Sequence, residues 1–275
     1  MKKILANDGI SAEGKEKLEK AGFTVITDKV NQEDLIDAIN QEAYVALLVR
    51  SATTVRKNLI DACPTLKFIG RGGVGMDNID VEYARKKGIV VENTPAASSQ
   101  SVAELVLGSL FSLARQTYDS YREMPTKGSS DFKGLKKKYG KGVELKGKTL
   151  LIIGFGGIGQ ALAGYALGIG MKVIGLTRTS REVEIPIQID GIGEIFRKIT
   201  TETDLDSVLP KADFISLHIP SQAGGKVVIG KEEFNKMKEG AFIVNAARGG
   251  VIDEDALIEA LNEGKVAAAA LDVFV

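Results

Sequence analysis

The sequence has little of several features that would point to particular classes of protein. Its 275 residues include one cysteine, Cys63, which excludes an internal disulfide, and one histidine, His218. No run of 18 or more apolar residues occurs, and no long apolar leader follows Met1. Because 36 basic residues balance 36 acidic ones, the charge gives no reason to expect nucleic acid or a membrane as a partner. These features predict a cytoplasmic protein.

Glycine, by contrast, is abundant, and three glycines follow an unbroken apolar run that ends at Ile153. Gly154, Gly156 and Gly159 have the G-x-G-x-x-G spacing, in which the first permits a tight turn, the second a close approach to a pyrophosphate, and the third close packing of helix on strand. Phosphates then lie at a helix N-terminus, where amide groups and the helix dipole favour anions. The predicted dinucleotide loop comprises Gly154, Phe155, Gly156, Gly157, Ile158 and Gly159.

The context of this loop favours a dinucleotide site over an ordinary glycine-rich turn. A segment rich in alanine and leucine follows it, and then a second apolar run at Lys172–Leu176. Together they form a strand–turn–helix–strand unit of about 30 residues.

Short apolar runs alternate with amphipathic segments along the whole chain, which predicts parallel sheets covered by helices. The first predicted strands are Ile4–Ala6, Phe23–Ile26, Tyr44–Val49, Leu66–Ile69 and Ile89–Val91. Because Asn93-Thr94-Pro95 interrupts this pattern, we expect a substrate-binding domain at residues 1–95 and a nucleotide-binding domain at residues 96–275. The predicted fold class is α/β, with two doubly wound parallel-sheet domains.

Several local expectations follow from turn and capping residues. Ser11, Asn31 and Asp80 are placed to cap helices, and Ser98–Gln116 predicts a long helix. The polar, glycine-rich residues 126–147 predict an extended loop whose lysine run is a solvated surface. Asp190-Gly191 predicts a β-hairpin. Strands and helices then alternate to a last strand at Val266–Val273.

Five segments in fixed order resemble the D-isomer-specific 2-hydroxyacid dehydrogenase family, most closely its phosphoglycerate dehydrogenase branch. They are Gly70–Asp80, Asn93-Thr94-Pro95, Ser101–Leu105, Gly154–Gly159 and Asn245–Glu254. The resemblance implies a flavodoxin-like substrate domain, a Rossmann nucleotide-binding domain, an active-site cleft and a homodimer formed through the nucleotide-binding domains. It also implies oxidation of a small D-2-hydroxy acid, with 3-phosphoglycerate and serine biosynthesis as the leading assignment.

The resemblance carries over to individual residues. Arg248 matches the catalytic arginine, whose planar fork can hold a substrate carboxylate through two parallel hydrogen bonds. The residues matched to the substrate site are Arg50, Ser51, Arg71, Gly72, Gly73, Val74 and Gly75, in which the glycine-rich run can form a nest of amide groups. Beyond the glycine loop, the residues matched to the cofactor site are Thr177, Arg178, Thr179, His218, Ile219, Pro220, Ala246, Arg248 and Asp272. No metal is expected.

Members of the family continue to a glutamate and a histidine that transfer the proton, whereas this sequence stops at Val275. His218 matches a different position, so a cofactor-side or structural role is expected for it. The resemblance therefore implies a chain truncated at the C-terminus, which binds cofactor, turns over poorly and leaves apolar surface of the first domain uncovered. The alternatives are a nucleotide-sensing protein like the C-terminal-binding-protein corepressors, or a cofactor-binding remnant.

The residue at the end of the second Rossmann strand indicates whether NAD(H) or NADP(H) is preferred. NAD-selective sites place a carboxylate there for the ribose 2′-OH, but this sequence has Thr177, followed by Arg178-Thr179-Ser180-Arg181. No carboxylate is present to repel a phosphate. We therefore predict that NADP(H) binds at least as well as NAD(H), through Arg178 with Thr179 or Arg181.

Overall fold

The computed structural model describes the backbone of residues 1–275 and all side chains except that of Ala223. The chain divides into two compact units, Met1–Ser98 and Ser99–Val275. Within the described residues, every helix is too short or too polar to cross a membrane.

The first unit contains a five-stranded parallel sheet. Its strands are β1 (Lys2–Ala6), β2 (Phe23–Ile26), β3 (Tyr44–Val49), β4 (Phe68–Arg71) and β5 (Val90–Asn93). The spatial order is β2-β1-β3-β4-β5, so the direction of winding reverses between β1 and β3. The helices are α1 (Ala12–Lys20), α2 (Leu35–Glu42), α3 (Lys57–Ala62) and α4 (Val81–Lys86).

The two faces of this sheet are covered unequally. Leu5, Leu47 and Ile69 are fully buried in a core shared with residues of α2, α3 and α4. Because side chains alternate along a strand, their neighbours point to the other face. There, Leu48 and Phe68 help to line an apolar hollow of about 690 Å³.

The second unit contains another five-stranded parallel sheet. Its strands are β6 (Thr149–Ile153), β7 (Lys172–Leu176), β10 (Phe214–Leu217), β11 (Ala241–Asn245) and β12 (Val266–Leu271), in the order β12-β11-β10-β6-β7. The helices around it are α5 (Ser99–Arg115), α7 (Gly157–Gly168), α8 (Leu205–Val208), α9 (Lys231–Lys236) and α10 (Glu254–Asn262). The prediction of two doubly wound parallel sheets is confirmed, although β12 ends two residues before the predicted Val273.

The predicted hairpin is confirmed. β8 (Glu182–Ile189) and β9 (Gly193–Thr200) are antiparallel, and Gly191 in the turn has φ +74°, which glycine adopts without strain. Ile185 is fully buried, whereas Ile192 and Phe196 are exposed. The base of the hairpin therefore packs on the unit, and its tip extends into solvent.

The prediction of an extended loop at residues 126–147 is wrong, because most of this segment belongs to the helix α6 (Thr117–Tyr139). The helix bends at Asp131, where φ −140° and ψ 46° are not helical. Glu123 pairs with Lys138 at 2.8 Å, although fifteen residues of straight helix would span about 22 Å. The two halves therefore fold back on each other, and buried Leu135 anchors the second half. Tertiary contacts outweigh the glycine content that suggested a loop.

The predicted helix caps have mixed outcomes. Ser11 caps α1 by accepting a hydrogen bond from the Gly14 N–H at 3.1 Å. Asn31 does not cap α2, because residues 32–34 form turns and Asp34 occupies the N-cap position. Asp80 occupies the N-cap of α4, but its carboxylate accepts from the Lys57 N–H at 3.0 Å, at the start of α3.

Candidate active site

Three neighbouring strands of the second unit end at one edge of the sheet. β10 pairs with β6 on one side and with β11 on the other, all parallel. Gly154, His218 and Ala246 follow these strands directly. The winding reverses between β6 and β10, and such switch points are where open α/β sheets bind ligands.

The three glycines of the loop have different surroundings, and each fits the role predicted from the spacing. Gly154 has φ +97°, and a Cβ there would overlap the backbone carbonyl of His218. A Cβ on Gly159 would overlap the Gly154 carbonyl, so α7 lies too close to β6 for a side chain. A Cβ on Gly156 would have nothing within 4 Å. The loop is thus fixed at both ends and open at its middle, where a pyrophosphate can approach.

The start of α7 provides the groups that an anion needs. The helix begins at Gly157, and no side chain caps its first turn. Helix geometry leaves the N–H groups of Gly157, Ile158 and Gly159 without intrahelical acceptors, at the positive end of the dipole. The loop and this helix end together therefore fit the diphosphate of a dinucleotide.

Phe155 contributes only its backbone to the loop. Its ring is 1 % exposed and lies so close to Gly175 that a Cβ there would come within 2.6 Å of it. Its carbonyl accepts hydrogen bonds from Gln160 Nε2 and from the Arg181 guanidinium, each at 3.0 Å. Arg181 thus bridges from the connection after β7 to the glycine loop.

In the segment that follows β7, residues 177–181, most side chains are exposed, whereas hydrogen bonds fix the backbone. The Thr177 N–H donates to the Glu202 carbonyl at 2.9 Å, and the Thr177 hydroxyl lies 2.7 Å from the Thr201 hydroxyl. Arg178 and Thr179 are exposed, and the Arg178 guanidinium lies 3.4 Å from Gln222 Oε1. The carboxylate that selects NAD is therefore replaced by a loop bearing two arginines.

His218 faces inward. Its Nε2 is 2.8 Å from the hydroxyl of Ser216, which is fully buried, and its Nδ1 is buried with no hydrogen-bond partner among the described residues. Burial lowers the pKa of His218 to about 4. The ring is therefore neutral at neutral pH, and its backbone rather than its charge meets the glycine loop. Ile219 follows beside Gly154, and Pro220 is exposed.

Arg248 lies on a loop that Asn245 holds. Asn245 is 2 % exposed; its Oδ1 accepts from the Ala247 N–H at 3.0 Å, and its Nδ2 donates to the Arg248 carbonyl at 2.9 Å. The Arg248 guanidinium donates to the Ala247 carbonyl at 2.7 Å. The Asp272 N–H donates to the Asn245 carbonyl at 2.9 Å, which brings the end of β12 to the same loop. The sequence interpretation missed Asn245 as a positioning residue, although it ends an apolar strand directly before the arginine motif.

The first unit has its own cavity, of about 700 Å³, at the carboxyl ends of its strands. Arg50 and Arg71 follow or end neighbouring strands β3 and β4, and both line it together with Gly72 and Thr94. The guanidinium of Arg71 lies against Gly73, which has φ +145° and no side chain to obstruct it. Ser51 is exposed and does not line the cavity. Two of the predicted cations therefore come together.

Of the four backbone N–H groups predicted to form an anion-binding nest, those of Gly72, Gly73, Val74 and Gly75, only two are without an acceptor in the part of the protein that the structure describes. The Gly72 N–H donates to the Val49 carbonyl at 2.8 Å, and the Gly73 N–H donates to the Thr94 hydroxyl at 2.8 Å. Among the described residues, the N–H groups of Val74 and Gly75 have no such acceptor. Hydrogen bonds within the protein therefore occupy two of the four backbone N–H groups that we predicted to bind the substrate.

A polar network in the wall of this cavity was not predicted, and its carboxylate, Asp8, is one of the lining residues. Asp8 follows β1 and accepts from the Arg50 N–H at 2.6 Å and from the Thr53 hydroxyl at 2.8 Å. Burial tends to raise the pKa of Asp8, but these hydrogen bonds lower it by more, so the pKa lies below its ordinary value. Asn7 donates to the same Thr53 hydroxyl at 2.9 Å. The network fixes the backbone from which Arg50 extends.

A glycine loop at the switch point of a parallel sheet, with an uncapped helix end and an arginine loop beside it, defines a dinucleotide-binding α/β protein. Comparison with known proteins gives the family. Residues 107–275 match the model of the D-isomer specific 2-hydroxyacid dehydrogenase NAD binding domain. The chain belongs to the D-isomer-specific 2-hydroxyacid dehydrogenase family, and its cofactor is a nicotinamide dinucleotide.

Similar proteins carry several names. The chain is 42 % identical over its whole length to D-3-phosphoglycerate dehydrogenase of Methanocaldococcus jannaschii, and it spans only 49 % of that relative. It is 41 % identical to hydroxypyruvate reductase of Thermotoga maritima, covering 99 % of this chain and 82 % of the relative. Among solved structures, an acyclic imino acid reductase in complex with NADPH and D-Arg has a TM-score of 0.82 at 30 % identity, covering 99 % of this chain and 83 % of that one.

Proposed function

We propose that the chain serves an oxidoreductase that transfers a hydride between NADP(H) and a small D-2-hydroxy acid, with 3-phosphoglycerate and 3-phosphohydroxypyruvate as the pair. The observation that carries this proposal is the meeting of the glycine loop, the His218 backbone and the arginine loop at one edge of the second sheet. The bound nicotinamide would accept or supply the hydride. The direct test is loss of reduced nicotinamide absorbance when 3-phosphohydroxypyruvate and NADPH are added to a version of the chain extended through the family's glutamate and histidine; the chain ending at Val275 should bind NADPH but turn over poorly.

Within this proposal Met1–Ser98 binds the substrate and Ser99–Val275 binds the cofactor. Arg248 would hold the substrate carboxylate through two parallel hydrogen bonds, which orients C2 toward the nicotinamide. Its loop is suited to this because Asn245 fixes the backbone on either side of Ala247. The Gly154–Gly159 loop would bind the diphosphate, and the residues after β7 the adenosine ribose.

We propose that the ribose carries a 2′-phosphate. Arg178 is exposed at the expected position, and Arg181 lies close enough to the glycine loop to contact the Phe155 carbonyl. Two guanidinium groups there favour a phosphate and leave a plain hydroxyl without its usual carboxylate acceptor. The acyclic imino acid reductase of similar fold has a solved structure in complex with NADPH.

Replacing Arg178 by alanine should therefore weaken NADPH binding much more than NADH binding. A charge-assisted hydrogen bond contributes about 1.5–3 kcal/mol, so we expect a loss of roughly ten- to a hundredfold for NADPH. The measurement is the dissociation constant of each cofactor by fluorescence titration. Arg197→Ala, which removes an exposed arginine from β9, controls for the change in net charge. An equal loss for both cofactors would remove the support for NADP(H).

The substrate phosphate is assigned to the first unit. Arg50 and Arg71 line the same cavity at the carboxyl ends of parallel strands, where such sheets bind ligands. A three-carbon acid with a terminal phosphate has one more anionic group than hydroxypyruvate, and these two cations match it. The names of the two relatives, a phosphoglycerate dehydrogenase and a hydroxypyruvate reductase, mark the two substrates to compare.

In a version of the chain extended through the family's glutamate and histidine, Arg71→Ala should lower kcat/KM for 3-phosphohydroxypyruvate more than for hydroxypyruvate, by roughly ten- to a hundredfold. Only the phosphorylated substrate loses a charge-assisted contact of about 1.5–3 kcal/mol. Arg85→Ala, on α4, is the matched control because it removes an arginine from the same unit outside the cavity lining. If Arg71→Ala slows both substrates equally, Arg71 serves the shared carboxylate end or the fold.

We also propose a homodimer through the second unit. Large apolar side chains are exposed on α5 and α6, among them Tyr121 at 80 % and Phe132 at 57 %. Large apolar side chains left exposed in this number are typical of a surface that binds a partner. Sedimentation should give twice the chain mass of 29.4 kDa.

The double substitution Tyr121→Glu with Phe132→Glu should weaken the association of two chains by about 30-fold or more, as expected for buried aromatic anchors. Phe196→Glu on the hairpin is the control; equal effects would place the interface elsewhere.

A further inference from the structure

The base of the β8–β9 hairpin meets the segment that follows β7 at one buried residue, Thr201. Thr201 is 1 % exposed and comes directly after β9. Its N–H donates to the Arg181 carbonyl at 2.9 Å, and its carbonyl accepts from the Ser180 hydroxyl at 2.7 Å. The hairpin thus starts and ends beside the two arginines assigned to the cofactor.

The Thr201 hydroxyl uses its full hydrogen-bonding capacity on this segment. It accepts from the Arg181 N–H at 3.0 Å, donates to the Arg181 carbonyl at 3.3 Å, and lies 2.7 Å from the Thr177 hydroxyl. Thr177 and Arg181 are the two ends of the segment, and Arg178 lies between them. One buried hydroxyl therefore fixes both ends of an otherwise exposed loop.

The neighbouring residue extends this arrangement to the edge of the sheet. The Glu202 N–H donates to the Gly175 carbonyl at 2.8 Å, and the Glu202 carbonyl accepts from the Thr177 N–H at 2.9 Å. Leu176 and Glu202 form a parallel bridge. The chain returning from the hairpin therefore lies beside the end of β7 as a short extra strand, with Thr201 turned toward the loop.

We propose that Thr201 is a positioning residue that makes the 177–181 loop selective for a 2′-phosphate. Arg178 and Arg181 are long, flexible side chains, and holding their backbone reduces the conformational entropy that phosphate binding must overcome. NAD(H), which has a 2′-OH in place of the phosphate, does not need both arginines. Its affinity therefore depends less on a fixed backbone in the 177–181 loop. The inference rests on the proposed preference for NADP(H) and adds a residue that touches neither cofactor nor substrate.

Thr201→Val removes the hydroxyl with little change in shape and should reduce the ratio of NADPH to NADH affinity about five- to tenfold, as loss of one or two hydrogen bonds does. Thr201→Ser keeps the hydroxyl and should retain the ratio within about twofold. Thr200→Val changes the exposed residue next to it and should leave the ratio unaltered. Dissociation constants of both cofactors and the melting temperature are measured for each variant.

A readout without cofactor is hydrogen exchange at the Arg181 amide, which should become faster in Thr201→Val and stay slow in Thr201→Ser. A lower melting temperature with an unchanged affinity ratio in Thr201→Val would make Thr201 merely structural and overturn the inference. So would loss of selectivity in Thr201→Ser. If the unaltered chain shows no preference and Arg178→Ala has no effect, the proposed NADP(H) preference fails first, and the inference fails with it. A preference abolished by Arg178→Ala but not by Thr201→Val overturns the inference alone.

Discussion

Gly154→Ala is expected to destabilise the second unit by about 2–5 kcal/mol and to abolish measurable cofactor binding. Two costs add: the left-handed backbone at φ +97° is strained for alanine, by about 1–3 kcal/mol, and the new methyl group overlaps the His218 carbonyl. The two nearest atoms, the carbonyl oxygen and carbon of His218, belong to the backbone and cannot move aside as the end of a flexible side chain could. Urea unfolding and cofactor titration measure the two effects.

Gly156→Ala separates binding from folding in the same loop. Gly156 has φ −84°, which alanine adopts readily, and a Cβ there meets nothing within 4 Å. We therefore expect a change in stability below about 0.5 kcal/mol but a large loss of affinity, because the methyl group occupies the space assigned to the pyrophosphate. Equal affinity in the variant would place the diphosphate elsewhere.

The control for both variants is Gly108→Ala in the middle of α5. Gly108 is exposed and has open space around it, so alanine should stabilise the helix by about 0.5–1 kcal/mol. The three substitutions add the same methyl group in three surroundings. If Gly154→Ala unfolds no more easily than Gly108→Ala, the close contact with His218 does not constrain the loop.

Strands were predictable where a short run is mostly apolar and bounded by polar residues or turns. Phe23–Ile26, Tyr44–Val49 and Phe214–Leu217 have the predicted bounds, because such runs are typical of strands in a packed sheet. The hairpin was predictable from Asp190-Gly191, since a glycine with positive φ specifies a tight turn. In each case the signal is local in the sequence.

The errors concern features that depend on distant residues. α6 is held by Glu123, which binds Lys127, Lys138 and the Tyr139 hydroxyl from both sides of a bend, and no local pattern shows this. The amides of Gly72 and Gly73 are used by Val49 and Thr94, which reach them only through sheet pairing.

The positioning residues of the candidate site were missed for a related reason. The glycine spacing predicted three distinct roles, and the surroundings of each glycine agree with them. Asn245, Ser216 and Thr201 are ordinary polar residues whose importance lies in being buried and hydrogen-bonded to neighbouring parts of the site. Burial is a property of the assembled fold, so their roles follow only from the structure.

The free energy of unfolding should fall by about 2–3 kcal/mol between pH 7 and pH 4.5 because of His218 alone. Burial lowers the pKa of His218 to about 4 in the folded chain, below about 6.5 for an unfolded histidine. Above pH 6.5 the ring is neutral in both states. As the pH falls below 6.5 only the unfolded state gains the proton, so stability falls by about 1.4 kcal/mol per pH unit until the folded ring also titrates.

Because His218 is the only histidine, its protonation can be followed without assignment by the NMR signal of the ring, which should titrate near pH 4. Carboxylates also titrate in this range, so the stability of His218→Gln is measured alongside; the difference between the two proteins isolates the histidine. An NMR pKa near 6.5, or equal pH slopes for both proteins, would mean that the ring is solvated. With a pKa near 4, His218 is a neutral imidazole at pH 7 and cannot serve as a general acid there, so an ionisation near pH 7 in the proposed reaction would belong to another group.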